Sequence, residues 1–343
     1  MNEKSNTIGG RERAKRSVKA IYVYVILLLV VAALSLIKGD LFQRGNFLYA
    51  DNIMRILMMS VPVIIVSACF TFIMISGNID LSVGSMLSLT TVFFAILVRG
   101  GMGFWPALLL TLVLGVVSGG INGWLVMQMR ITPVIATLIT MSVYQGIARY
   151  LVPEGISSIQ STDTLKMPEW INDFTRGDAF PSIPQLHGLS WAMIVAVLVI
   201  VLLVVLQRRT VLGKYVAAIG GNRTAAELSG VNVVKTIWGV YMLMGVLTAL
   251  AGVANASYSS VGEPNTGKGL ETQAIIAVLL GGTAFTGGEG SVVKSVIGAL
   301  VIVCLTQGLK GVIPDYWQSL AIGIVLVLAV ALNHVVSQES VTA

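Results

Sequence analysis

Ten long apolar stretches divided by short polar connections constrain this 343-residue chain more than any other feature. They lie near residues 20–37, 53–76, 84–98, 104–127, 132–150, 190–206, 236–258, 271–282, 293–310 and 316–335. A helix needs about 20 apolar residues to cross a ~30 Å hydrocarbon core. Within that core the backbone must satisfy its own amides and carbonyls, so such stretches form helices. Charged residues make up 11% of the chain, less than half of the roughly 25% in soluble domains. The expected fold is an all-α membrane protein of about ten transmembrane helices. The eighth stretch is short and runs into GGTAFTGGEGS, residues 281–291, which predicts a helix that breaks or re-enters there. Basic residues up to Lys19 precede the first stretch, as in a cleavable signal. With nine apolar stretches behind it, the first is read as a transmembrane helix.

Lys and Arg in short loops orient such a chain. Placing the N-terminus in the cytoplasm puts Arg11, Arg13, Lys15, Arg16 and Lys19 there with Arg130, Arg208, Arg209, Lys214, Arg223 and Lys235. Both termini are then cytoplasmic, and the chain divides into a basic tail (1–19), a transmembrane region (20–335) and a short C-terminal tail (336–343). The segment from about 151 to 189, with its prolines and Trp170, reads as an ordered external cap. The net charge of +6 is gathered in these loops, with no basic patch interleaved with aromatics, so nucleic acid is not an expected partner. Cys69 and Cys304 lie inside apolar stretches without metal-ligand or CxxC spacing, and no metal or cofactor is expected in this chain.

A shift of 185 residues superimposes Gly77 on Gly262, Gly84 on Gly269, Gly103 on Gly288, Gly123 on Gly308 and Asn122 on Gln307. Such a shift spans five helices and reverses the second copy in the membrane, which predicts an inverted five-helix repeat. Transporters of that design carry their pathway between the repeats.

Catalytic groups are missing from the apolar stretches. Arg55, Arg149, Glu271 and Asp315 sit near ends, Asp80 lies between helices, and no nucleophile and base share one span. An enzyme is therefore not expected. A proton-coupled transporter places a carboxylate or histidine at mid-membrane; without one, the energy for active transport must come from a partner. GEPNTGKG (262–269) nearly spells a phosphate-binding loop, but Gly269 stands where Ser or Thr should hold magnesium. In the loop 207–235, Thr224 and Glu227 have capping-box spacing and Gly230 suits a left-handed helix end, predicting a helix of one to two turns. So short a helix needs a surface to dock on, either its own bundle or a motor protein. In GNIDLSVGS (77–85), Asp80 and Ser82 suit the start of the third helix, while Gly77 and Gly84 permit a bend or a close approach. Capping accounts for the two polar residues, and so does a gate or pathway.

Four stretches resemble the signature segments of ribose-type ATP-binding cassette sugar permeases: GNIDLSVGS, NGWLVMQMRITPVIATL (122–138), AIGGNRTAAELSGVNV (218–233) and AVLLGGTAFTGGEGSVVKSVIGAL (277–300). They occur in the family's order, and the similarity extends from about residue 20 to 335. The resemblance implies a permease subunit in the bacterial inner membrane, paired with a second copy or a homologous permease. It further implies a separate cytoplasmic ATPase that binds ATP and Mg, and a periplasmic sugar-binding protein. Carried over residue by residue, Asn222, Arg223, Ala225, Ala226, Glu227 and Gly230 belong to the helix that couples to the ATPase, and Asp80 and Ser82 to the G-I-D-L-S element. Asn78 replaces the family's usual glycine, and Gln273 its usual acid, so the particular sugar does not follow. Asn122, Thr137, Ser142 and Gln145 are candidates for the pathway, although hydrogen bonds that pack helices explain them as well. The competing class is an ion-coupled secondary transporter, which shares inverted repeats and broken helices.

Overall fold

A computed structural model describes residues 21–36, 47–152, 159–160, 170–179 and 188–310, with single positions 314, 317, 320, 323, 324 and 327 beyond them. Both terminal tails and most of the stretch 316–335 lie outside the described residues. Each of the first nine apolar stretches coincides with a helix: α1 Ile21–Leu36, α2 Ala50–Ile75, α3 Val83–Arg99, α4 Phe104–Met127, α5 Pro133–Tyr150, α7 Trp191–Arg209, α10 Val233–Ser259, α11 Leu270–Leu280 and α12 Val292–Leu309. Three short helices join them: α6 Trp170–Thr175, α8 Val211–Gly221 and α9 Arg223–Leu228. Five of these helices, α2, α4, α7, α10 and α12, are long and apolar enough to cross a membrane. Two short strands join the helices among the described residues: Ile159–Gln160 (β1) pairs antiparallel with Val261–Gly262 (β2).

Local chemistry sets the helix ends. Pro133 opens α5, where its missing N–H costs nothing, and the side chains of Ser190 and Asn232 accept the N–H groups of Met193 and Lys235 to cap α7 and α10. At 1.5 Å per residue, the eleven residues of α11 reach about 16 Å, roughly half the hydrocarbon thickness. The predicted break follows directly, with Gly282, Gly287 and Gly288 all at positive φ.

At the centre stands α10, packed on α2, α3 and α4. Its seam with α4 is built from glycines. Gly115, Gly119 and Gly123 recur every fourth residue on one face of α4 and meet the Gly245 carbonyl, the Tyr241 carbonyl and the Trp238 ring of α10. A methyl group on any of them would overlap its neighbour. Small residues let two helix backbones approach closely in a medium that offers no hydrophobic drive to associate. The Trp238 indole adds a hydrogen bond to the Gly120 carbonyl at 2.8 Å.

The expected external cap is docked where it is described. Ile171 is buried against Val253 and Ala256, and the Phe174 ring lies 5.3 Å from that of Phe104. Ser257 donates to the Ile171 carbonyl, and Arg176 sits 5.2 Å over the Tyr258 ring.

Large aliphatic side chains face outward along α4 (Leu109, Val113, Val117), α5 (Ile135, Ile139, Val143) and α7 (Leu198, Leu202). Patches of this extent suit lipid or a partner subunit, not water.

The seam makes a position-specific prediction. Gly119→Ala is expected to destabilise the folded protein by about 1–3 kcal/mol. Gly146→Ala, within α5 at a site with no atom within 4 Å of the added carbon, should hold or raise the melting temperature in detergent, since alanine favours the helix. Equal melting of the two variants would contradict the seam.

Candidate functional site

Two places gather the polar residues singled out above. The first is the link from α2 to α3. After Ile75 the chain turns at Gly77 (φ +74°) and buries Asp80 completely, together with Ser82 and Asn122. Asp80 Oδ1 accepts the Ser82 amide at 2.9 Å and the Ser82 hydroxyl at 2.6 Å. The Asn122 amide, brought in from α4, donates to Ser82 Oγ at 2.8 Å and to the Asp80 oxygens at 3.3 and 3.4 Å. Tyr241 of α10 closes the group by donating to the Ile79 carbonyl at 3.1 Å. A carboxyl group inside apolar surroundings is tolerated only when its oxygens are hydrogen-bonded, and here neutral donors from two elements do this. The Asn122 carbonyl oxygen is buried with no partner among the described residues.

This arrangement corrects one expectation. Ser82 does not cap α3 through its side chain; its hydroxyl and amide are both taken by Asp80, so the pair forms a local turn instead. Asp80 lies between helices as expected, and the link that carries it folds inward, so that protein encloses its carboxyl group. Gly84 fulfils its expected role of close approach. It abuts the Gly267 carbonyl and the Glu271 side chain at the start of α11, where Ser88 Oγ accepts the Gly267 amide at 3.0 Å.

The remaining pathway candidates do not join this cluster. Thr137 is buried but bonds within its own helix to the Pro133 carbonyl at 2.8 Å, and the exposed Ser142 does likewise to Leu138 at 3.2 Å. Gln145 reaches across to the Pro264 carbonyl at 2.6 Å, beside a contact of 3.2 Å from Arg149 to Asn265. The GEPNTGKG loop is thus tied to α5 and α3, as a structural turn. Tyr241 escaped the sequence reading, since a tyrosine inside an apolar helix carries no local signal.

The second place is α9. Asn222 is extended (φ −159°, ψ 105°), and its side chain accepts the Ala225 amide at 3.0 Å. The cap is therefore Asn222 and not Thr224: α8 runs to Gly221, so the only non-helical residue before α9 is Asn222. Glu227 does not complete a capping box but pairs with Arg223 at 3.3 Å in the open. Gly230 takes the left-handed conformation (φ +84°), with Gly230 and Val231 amides donating to the Glu227 and Ala226 carbonyls, the double closure of a glycine-terminated helix. Ala226 is the residue buried on the bundle, whereas Leu228 is 86% exposed. Among the described residues, no three His, Cys, Asp or Glu side chains come close enough to hold a metal ion.

A chain of several apolar helices with a broken pair at its centre and a capped short helix outside is built as a membrane transport component. Residues 52–330 match the family described as the branched-chain amino acid transport system / permease component, and the chain belongs to that family. It is 33% identical to the ribose import permease protein of Haemophilus influenzae over 91% of this chain and 92% of that one. It is 32% identical to the D-allose transport system permease protein of Escherichia coli (92% and 91%). With the xylose transport system permease protein of Haemophilus influenzae the identity is 30% (90% and 95%). No solved structure matches the chain.

The buried cluster generates a prediction. Asn122→Leu removes the donor shared by Ser82 and Asp80 and is expected to cost about 1.5–3 kcal/mol, read as a lowered melting temperature. Ser142→Ala, on the open face of α5, should stay within about 0.5 kcal/mol of wild type.

Proposed function

We propose that this chain is the permease subunit of an ATP-driven importer in the bacterial inner membrane, passing a monosaccharide or a related small polar solute. It is not an enzyme: ATP and Mg belong to a separate cytoplasmic ATPase. A second copy or a homologous permease completes the membrane unit, and a periplasmic binding protein delivers the solute. The observation that carries this reading is α9, a six-residue helix closed at both ends with a leucine held outward. So short a helix is stable only on a surface; Ala226 anchors one face, and the opposite face is free to receive a motor protein. The import permease names of its relatives agree with this. Asn222, Arg223, Ala225, Ala226, Glu227 and Gly230 form the coupling element. Asp80, Ser82 and Asn122 hold the broken link, and Thr137, Ser142 and Gln145 belong to the α5 side of the pathway. An ion-coupled transporter would have a use for Asp80, but neutral donors of the chain itself already hold its oxygens.

The membrane region, 20–335, consists of ten apolar segments between two cytoplasmic tails and carries an inverted repeat. The 185-residue shift carries α2, α3 and α4 onto α10, α11 and α12. Their direction supports inversion: the C-terminal end of α2 reaches α8 at Gly220, whereas α10 meets the α8–α9 region at its N-terminal end. On this reading, closure of the ATPases moves α9, and the two permeases rock to expose the pathway alternately to each side.

Glu227→Arg breaks the pair with Arg223 and reverses charge on the proposed docking face. In proteoliposomes supplied with the ATPase and binding protein, ATP-dependent sugar uptake is expected to fall at least about tenfold, equal to ~1.4 kcal/mol of lost docking. The permease should remain folded while no longer retaining the ATPase. Undiminished uptake would remove Glu227 from the interface.

A further inference from the structure

Four segments distant in sequence meet beside α9. Gln207, near the end of α7, donates through Nε2 to the Gly290 carbonyl at 3.0 Å and accepts the Val292 amide on Oε1 at 3.0 Å. A single carboxamide thus grips the loop 281–291 and the first residue of α12. The same loop donates the Gly288 amide to the Ile75 carbonyl at 2.8 Å, at the last turn of α2. Gly220, in the last turn of α8, lies directly on that carbonyl, and a methyl group there would overlap the Ile75 oxygen and come within 2.6 Å of the Gly288 nitrogen. One residue, Asn222, separates α8 from α9.

From this geometry we infer that Gln207 and Gly220 are positioning residues that convey movement of α9 to α2 and α12 together. The inference rests on the reading of α9 as the ATPase-docking helix. Backbone meets backbone at Gly220, Ile75 and Gly288, with no side chain to absorb a displacement, and close-packed contacts of this kind transmit strain. A shift of α8 therefore displaces the end of α2, from which the link to Asp80 begins. Through Gly288 and Gln207 it displaces the start of α12 as well. These two helices pack on each other, so α9 acts on a pair of contacting helices. Such a contiguous network is a physical path whose coupling can be measured.

The test compares Gln207→Leu, Gly220→Ala and Gly221→Ala with wild type. Each permease is assembled with its ATPase and binding protein in proteoliposomes, and sugar taken up is measured per ATP hydrolysed. Gly221 has no atom within 4 Å of an added carbon and serves as the neighbouring control. Gln207→Leu, which loses two hydrogen bonds, and Gly220→Ala, which forces the Ile75 carbonyl aside, are expected to retain the ATPase and hydrolyse ATP while uptake per ATP falls on the order of tenfold. Gly221→Ala should match wild type. Should Gly220→Ala fail to assemble, Gln207→Leu against Gly221→Ala decides alone. An unchanged ratio overturns the inference, and so does a loss of hydrolysis and uptake in equal proportion, since a merely structural role lowers both. Wild-type uptake without any ATPase would instead overturn the α9 reading, before any variant is compared.

Discussion

Every peptide group placed in hydrocarbon must find its partner within the protein, and the architecture of this chain follows from that demand. Unbroken helices meet it alone. The two interruptions, residues 76–82 after α2 and 281–291 after α11, meet it by lying against other segments. The Ile75 carbonyl receives the Gly288 amide, and Gln207 supplies both a donor and an acceptor to the second interruption. The first is satisfied by Asp80, Ser82, Asn122 and Tyr241. Irregular backbone is tolerated here because it is covered, in part by its own Asp80 and Ser82 and in part by Asn122, Tyr241 and Gln207 from other helices.

Close approach is the second requirement, and glycine supplies it. The seam between α4 and α10 and the contact of Gly84 with Gly267 bring main chains together where any side chain would hold them apart. The start of α3 thereby meets the start of α11, and the broken elements lie together near the core instead of at its edges. Around this centre, α4, α5 and α7 turn their aliphatic faces outward, which leaves the protein's polar groups concentrated at the breaks and at α9.

Much of this was legible before any coordinates. Apolar length located nine helices, since the thickness of a bilayer leaves few alternatives, and the glycine-rich run after Leu280 marked a break correctly. Short-range polar roles were harder to read. Asn222 and Thr224 are both good capping residues, and spacing favoured Thr224 with Glu227; the extent of α8 decided for Asn222. The place of Asp80 between two helices was legible, but its complete burial was not, because its partner Asn122 is supplied 42 positions later. Gln207 carries no local signature either. Its role depends on a loop 83 residues downstream, and no window of sequence contains both.

The glycine seam also bears on how the chain is made. Trp238 and its acceptor Gly120 are separated by 118 residues. At a synthesis rate of about 5–20 residues per second, α4 precedes its partner by roughly 6–24 s. During that interval its glycine face lacks the residues Trp238, Tyr241 and Gly245 that fill it in the folded protein. The centre therefore closes only after α10 is made, and its timing is set by the distance along the chain between two helices that end as neighbours.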